Sequence, residues 1–295
     1  MKTLYIWLCG LLTALSVQAA EEVNIETSAV AGKVHMLVGR GGNIGVLSGD
    51  DGIILVDDQF APLTEKIREA VKGIHSGPIR FVLNTHWHGD HTGGNENFGK
   101  AGAVIVAHNN VRQRMSTDQF RAFFNRETKA SPPGALPVVT FGNDISFHVN
   151  GETMNVQHYP HAHTDGDAIV FFRNANVVHM GDIYFANQFP YIDVDSGGSI
   201  DGLIAAVDSV LKQSNEQTKV IPGHGALSDA KELTEYRDML VDVRKRINAA
   251  KQAGKSVEQF LAEKPLADLT SRWEKGFIKT DQMIQLVWLS KAMTM

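Results

Sequence analysis

Three histidines and an aspartate fall within six residues of the stretch NTHWHGDHTGGN, Asn84 to Asn95. His86, His88, Asp90 and His91 all carry metal-ligand side chains, and a chain that crowds them together must fold so that an ion can reach them. Side chains two residues apart converge on one ion when the backbone is extended or turning, which suits His86 and His88. Asp90 and His91 follow Gly89, leave in another direction, and suit a second ion a few ångströms away. One loop does not complete two ion sites. The fold must bring further ligands from distant parts of the chain to the same edge, and loops beyond strand ends are where α/β architectures do this.

Strand-like runs end where such ligands stand. IRFVLNT is a short apolar run fit for a buried strand, and the histidine cluster begins where it stops. Further along, HAHTDGDAIVFF offers His163 before a strand, VVHMGD offers Asp182 after one, and VIPGHG offers His224 after the last. Each lies beside small residues that permit close approach. Asp182 suits a bridging role, because a carboxylate can give one oxygen to each of two ions.

The rest of the chain reads as two similar halves. VHMLVGR, NIGVLSG and GIILVDD form a meander, and PLTEKIREAVKGI keeps helical spacing behind Pro62. AVIVAH is another buried strand, with Asn109 or Asn110 as the cap of a following helix. Residues 112–137 predict a short amphipathic surface helix, then a loop at Pro132-Pro133-Gly134. DISFHVNGETMNVQHYP is a hairpin turning at Asn150-Gly151, followed by DAIVFF, ANVVHMGD, the helix SIDGLIAAVDSVLKQS and the strand TKVIPGHG. From Ser228 the chain is helical. This order predicts an α/β fold, two sheets packed face to face with helices outside, plus a helical C-terminal extension over 228–295. No linker divides the halves, so residues 20–295 are read as one domain.

HxHxDH at 86–91, HTDGD at 163–167, Gly181-Asp182 and PGHG at 222–225 resemble, in order and spacing, the motifs of the metallo-β-lactamase-fold superfamily, over about residues 32–230. Asp57 stands where that family has a structural aspartate. The resemblance implies a four-layer αβ/βα sandwich with the metals at one edge. It implies that His86, His88 and His163 bind one ion, that Asp90, His91 and His224 bind the other, and that Asp182 bridges them. It implies two Zn2+ ions, with iron or manganese as substitutes, and a water or hydroxide between them. Asp90 would also orient or deprotonate that nucleophile.

Other residues have plainer readings. His161 is the rival of His163, but the Thr-Asp-Gly-Asp run matches the family at His163, leaving His161 beside the ligands or at the surface. Trp87 is either a pocket wall or core packing. Phe120, Phe123 and Phe124 either cap the site or pack a surface helix, and Tyr184 and Asn187 follow Asp182 closely enough to reach a substrate oxygen.

Within the family two features stand apart from dedicated zinc β-lactamases. Asp182 replaces the cysteine or serine of the dinuclear subclasses, and Ile183-Tyr184-Phe185-Ala186 carries no substrate-gripping lysine. The reading is a secreted dinuclear zinc hydrolase that opens an activated acyl bond, first a β-lactam amide, with a lactone, ester or thioester as the alternative. A mononuclear-iron oxidoreductase of the persulfide-dioxygenase kind is the alternative of another class.

Composition sets the surroundings. MKTLYIWLCGLLTALSVQAA has one cation, a short apolar run and a small-residue site, the pattern of a signal peptide over residues 1–19. Its removal takes the only cysteine, Cys9, and leaves no stable membrane insertion, so a periplasmic or secreted protein is expected. Without Lys2, 27 cations face 33 acids, a formal charge of −6. An acidic chain without basic runs excludes a nucleic-acid partner and favours a small-molecule substrate. Oligomeric state is not written in it.

Overall fold

The computed structural model describes residues 23–290; the leader read at 1–19, Cys9 included, lies outside them. The first sheet is built from β1 (Glu26–Ala31), β2 (Val34–Val38), β3 (Ile44–Leu47), β4 (Ile53–Val56), β5 (Ile79–Leu83) and β6 (Val104–His108). The chain then forms a separate two-stranded ribbon, β7 (Gln119–Arg121) and β8 (Arg126–Thr128), before β9 (Val139–Phe141) completes the first sheet beside β6. Strands β1 to β4 are antiparallel, whereas β4, β5, β6 and β9 run parallel. The second sheet runs in order through β10 (Asp144–Val149), β11 (Glu152–His158), β12 (Ala168–Phe172), β13 (Val177–His179), β14 (Lys219–Ile221) and β15 (Ser228–Asp229).

Helices cover the outer faces. In chain order they are α1 (Thr64–Ile74), α2 (Gly89–Thr92), α3 (Asn95–Lys100), α4 (Asn109–Met115), α5 (Ile200–Lys212) and then α6 (Ala230–Gln252), α7 (Val257–Ala262), α8 (Ala267–Trp273) and α9 (Thr280–Leu289). Three apolar layers result. Leu47, Val56 and Leu83 of the first sheet meet Met154, Val170 and Ile221 of the second in the central layer. Val46, Leu55 and Val82 point the other way, onto Ile67 and Val71 of α1. Phe171 and Val220 point onto Leu203 and Val207 of α5 and Leu233 and Leu240 of α6. Alternating side chains on one strand therefore serve two layers, as the period of two requires. This is the αβ/βα sandwich with its C-terminal helical region.

Local chemistry sets the joints. Asn150 and Gly151 adopt φ of 57° and 74°, the left-handed pair of a tight hairpin turn joining β10 to β11. Ser199 and Asp229 accept amide hydrogens at the starts of α5 and α6, and Ser256 with Gln259 forms a capping box on α7.

Four details differ from the sequence reading. The helix after β6 is capped by the side chain of His108 rather than by Asn109 or Asn110. The expected amphipathic helix within 112–137 ends at Met115, and the Phe-rich part is the β7–β8 ribbon, reversing at Asn125 with φ 48°. Its side chains gain more by packing across the fold than by helical spacing, a tertiary override of local pattern. Strand β1 was missed because its outer residues are polar and exposed, and the stretch read as helical from Ser228 opens instead with β15, Ser228–Asp229, before α6 begins.

Candidate metal centre

Strands β4, β5, β13 and β14 deliver their C-terminal ends to one edge of the sandwich, and the histidine-rich loop 84–95 leaves β5 there. Asp57 follows β4 in the left-handed region, φ 67°, fully buried. Its carboxylate accepts from Thr85 N at 2.7 Å, Thr85 Oγ1 at 2.8 Å and His91 Nδ1 at 2.8 Å. Since the Thr85 hydroxyl donates to Asp57, it accepts from His86 Nδ1, 3.1 Å away. One buried carboxylate thus sets the tautomers of two histidines. Both are left with a bare Nε2.

The others are fixed in the same way. His163 donates Nδ1–H to the Tyr191 carbonyl at 2.8 Å, leaving Nε2 bare. His88 donates Nε2–H to Asp193 Oδ2 at 2.9 Å, leaving Nδ1 bare. Asp193 was missed in the sequence reading; the only local signal was an aspartate ahead of Gly197-Gly198, a weak one. Burial pushes the Asp193 carboxyl up, but the bond to His88 outweighs it and holds it well below the usual range.

Bare ring nitrogens therefore face each other. His88 Nδ1 lies 3.1 Å from His86 Nε2 and 3.0 Å from His163 Nε2, with Asp182 Oδ2 at 3.8 Å from His86 and 3.7 Å from His163. Lone pairs that close repel, and the tautomers leave no proton to lie between them. Four ligands on a tetrahedral zinc at 2.0–2.1 Å stand about 3.3 Å apart, so the four atoms match the edges of such a shell. On the other side Asp182 Oδ1 lies 3.0 Å from His91 Nε2 and 3.4 Å from His224 Nε2, and Asp90 Oδ2 lies 3.3 Å from His224 Nε2. His91 Nε2 and Asp182 Oδ1 are buried without a proper hydrogen bond. The donors fall into two groups, His86, His88, His163 and Asp182 in one, and Asp90, His91 and His224 in the other. The Asp182 oxygens face one group each. A cluster of this composition binds divalent metal.

Its electrostatics point the same way. Burial pushes Asp182 up, yet His91, His224 and His86 outweigh it and hold its carboxyl well below the usual range. Burial pushes His224 down, but Asp182 and Asp90 hold it up at about 9. The acids thus pull positive charge into the pocket. Glycines make the close fit possible: a Cβ at Gly42 would lie 2.1 Å from the His91 ring, one at Gly223 2.1 Å from Asp182 Oδ1, and one at Gly181, where φ is 52°, 2.6 Å from Thr85 Oγ1.

The remaining candidates separate. His161 is exposed and turns Nδ1 toward the Gly197 carbonyl, away from the centre. Phe124 lines a cleft of about 420 Å³ whose floor is His88, Asp90, Asp182 and His224. Four expected pocket residues do not line it. Trp87 is buried against Ala107, Val111 and Met115, because the extended loop alternates its side chains and sends His86 and His88 one way and Trp87 the other. Tyr184 is 1% exposed and bonds Ser228 Oγ through its hydroxyl at 2.7 Å. Phe120 stands 59% exposed on β7, and Asn187 sits in a left-handed turn, φ 55°, outside the cleft.

The model of the metallo-beta-lactamase superfamily matches residues 37–224, which hold every ligand candidate. A metallo-beta-lactamase from Pontibacter korlensis has a similar fold, with TM-score 0.60 and 20% identity over 74% of this chain and 99% of that one. A stereoselective inverting sec-alkylsulfatase from a Pseudomonas species has TM-score 0.65 and 17% identity over 90% of this chain and 50% of that one. The 2,4-dinitroanisole O-demethylase subunit alpha of Nocardioides sp. (strain JS1661) is 23% identical over 56% of this chain, which spans about half that relative's length (48%). With the family model covering more than half of the sequence, and with this centre at the sandwich edge, the chain belongs to the metallo-beta-lactamase superfamily.

Proposed function

We propose that the chain is an exported dinuclear zinc hydrolase that opens an activated acyl bond, with a β-lactam amide as first substrate and a lactone or ester next. The observation that carries this reading is the division of donors into two groups meeting at Asp182, whose two oxygens face opposite sides. Two divalent cations held there would supply a water of lowered pKa and polarise the bond under attack. His86, His88 and His163 would hold one, and Asp90, His91 and His224 the other.

The chain's own groups divide the remaining work. Asp182, 5% exposed, would serve as a fixed bridge. Asp90 is 30% exposed and opens on the cleft, with Oδ2 turned to His224. Burial raises its carboxyl, but His91 and His224 hold it well below the usual range, so it remains an acceptor that orients a water from the floor of the cleft. Phe124 and Tyr191 exclude bulk water from one wall, which strengthens each charge interaction at the floor. Export rests on the leader sequence at residues 1–19.

The test is a substrate panel on zinc-loaded protein with metal content measured on the same sample. Nitrocefin, an acyl-homoserine lactone, a 4-nitrophenyl ester and an alkyl sulfate make the panel. About two zincs per chain with β-lactam opening is the expected result. Turnover of the lactone or ester alone moves the substrate and keeps the reaction class. One iron per chain with oxygen consumption overturns the reading in favour of the oxidoreductase.

A further inference from the structure

The β7–β8 ribbon carries an arrangement that local folding does not favour. Arg121 and Arg126 are direct cross-strand partners at the closed end of the ribbon. Like charges directly opposite each other destabilise an antiparallel pair. No carboxylate among the described residues forms an ion pair with either arginine: Arg121 makes one long contact to Thr128 Oγ1, 3.4 Å, and the acids of the same cleft, Asp90 and Asp182, are turned to histidines instead. The Arg121 guanidinium lies 5.7 Å over the Trp87 ring, and its Nε is buried without a hydrogen-bond acceptor.

The ribbon is nevertheless pinned in place. Phe124 at its tip packs on Tyr191, ring centroids 5.2 Å apart, and on Phe277 at 6.4 Å, and the Phe123 amide donates to Asp195 Oδ2 at 3.3 Å. Both arginines thereby line the same 420 Å³ cleft that exposes His88, Asp90, Asp182 and His224 on its floor. Phe60 and Phe277 lie at its rim, 37% and 57% exposed. The cleft so combines unpaired cations with exposed aromatic faces.

Resting on the hydrolase reading above, the geometry points to a substrate that is an organic monoanion with an apolar body, its anionic group held by Arg121 and Arg126 and its body against Phe60, Phe124 and Phe277. Paired guanidinium donors suit the two or three oxygens of a carboxylate or a sulfonate-like group.

Matched esters test this: the mono-4-nitrophenyl ester of glutaric acid, an anion, against neutral 4-nitrophenyl valerate, on metal-loaded full-length mature protein. The anionic ester should be preferred in kcat/KM by about tenfold or more, the size of one or two charge-assisted hydrogen bonds. The preference should fall toward one in the R121Q/R126Q double variant. R126Q alone, exposed and unbonded, should lower it about threefold, and R68Q on α1 should not change it. Calorimetric binding of phenylacetate, benzylsulfonate and neutral phenylacetamide gives a second readout that needs no turnover. Tighter binding of either anion, lost in R121Q/R126Q, supports the inference and shows which oxyanion is favoured. Equal affinity for all three, or an anion preference that survives in the variants, overturns it. If neither ester is cleaved with two metals bound while anion binding still depends on the arginines, it is the hydrolase reading that fails.

Discussion

Asp193 makes a quantitative test of the proposed site at His86, His88 and His163. It is fully buried, accepts from His88 Nε2 at 2.9 Å through Oδ2, and accepts from the Ser196 amide at 3.1 Å through Oδ1. That single bond decides which His88 nitrogen faces His86 and His163. Without it the imidazole can rotate or take the other tautomer, and the ion loses an aligned donor. Partners of this kind contribute about 10–100-fold to metal affinity, roughly 1.4–2.7 kcal/mol. Asp193→Ala should weaken one of two bound zinc ions by that factor and leave the ion at Asp90, His91 and His224 near its original affinity. Asp193→Asn keeps an acceptor and loses the charge, so it should fall between. Competition with a chelator of known affinity, followed by the cobalt(II) spectrum of each variant, resolves the two ions. Thermal melts of the metal-free proteins separate a ligand effect from lost folding. If D193A folds and retains both ions at full affinity, the assignment of His88 Nδ1 as a donor is refuted.

Asp182→Ala should reduce occupancy of at least one ion and lower turnover by two orders of magnitude or more, as loss of a shared ligand implies; near-normal hydrolysis would end the bridging role. His161→Ala should leave zinc content, read by mass spectrometry, at the wild-type value, and loss of an ion would transfer the ligand role from His163. Tyr184→Phe removes the bond to Ser228 and should cost about 1 kcal/mol in chemical denaturation with kcat/KM unaltered, whereas a large kinetic loss would place the hydroxyl at the substrate. His108 and His158 stack at 3.6 Å between the two sheets, and burial, then His158, pushes His108 down to about 4. A lowered histidine leaves stability intact above the unfolded value of 6.5. Below it the unfolded chain takes up a proton that the folded chain refuses. The metal-free protein should therefore lose roughly 1–2 kcal/mol between pH 6.5 and pH 4, after allowance for partial screening, and His108→Asn should flatten that slope.

That the candidate ligands would gather at one edge was legible in sequence, because such donors stand at strand ends, and strand ends announce themselves. β-Branched runs such as IRFVL and TKVI stop abruptly, and the ligands begin there. Asp57 was named only through the family resemblance, and its part in orienting His91 and Thr85 came from the structure. The cleft was not legible. Tyr184 follows Asp182 by two residues, yet an extended backbone turns it into the core. Whether Arg121 meets Arg126 depends on a reversal at Asn125 that is held by Asp195 and Phe277, residues more than 65 positions away. Asp193 reaches His88 across a similar gap in sequence. Contacts set by packing leave no local period to read.

The glycines at 42, 181 and 223 have a consequence for how such a protein can change. Any side chain there collides with a ligand or with Thr85, so the floor of the cleft has almost no mutational freedom. Arg126 and Phe60 stand at an exposed rim whose substitution disturbs little packing. Descendants of this sequence can therefore drift toward new substrates along the rim while the reaction machinery stays frozen, and a selection experiment randomising the rim alone should yield altered preferences without loss of metal.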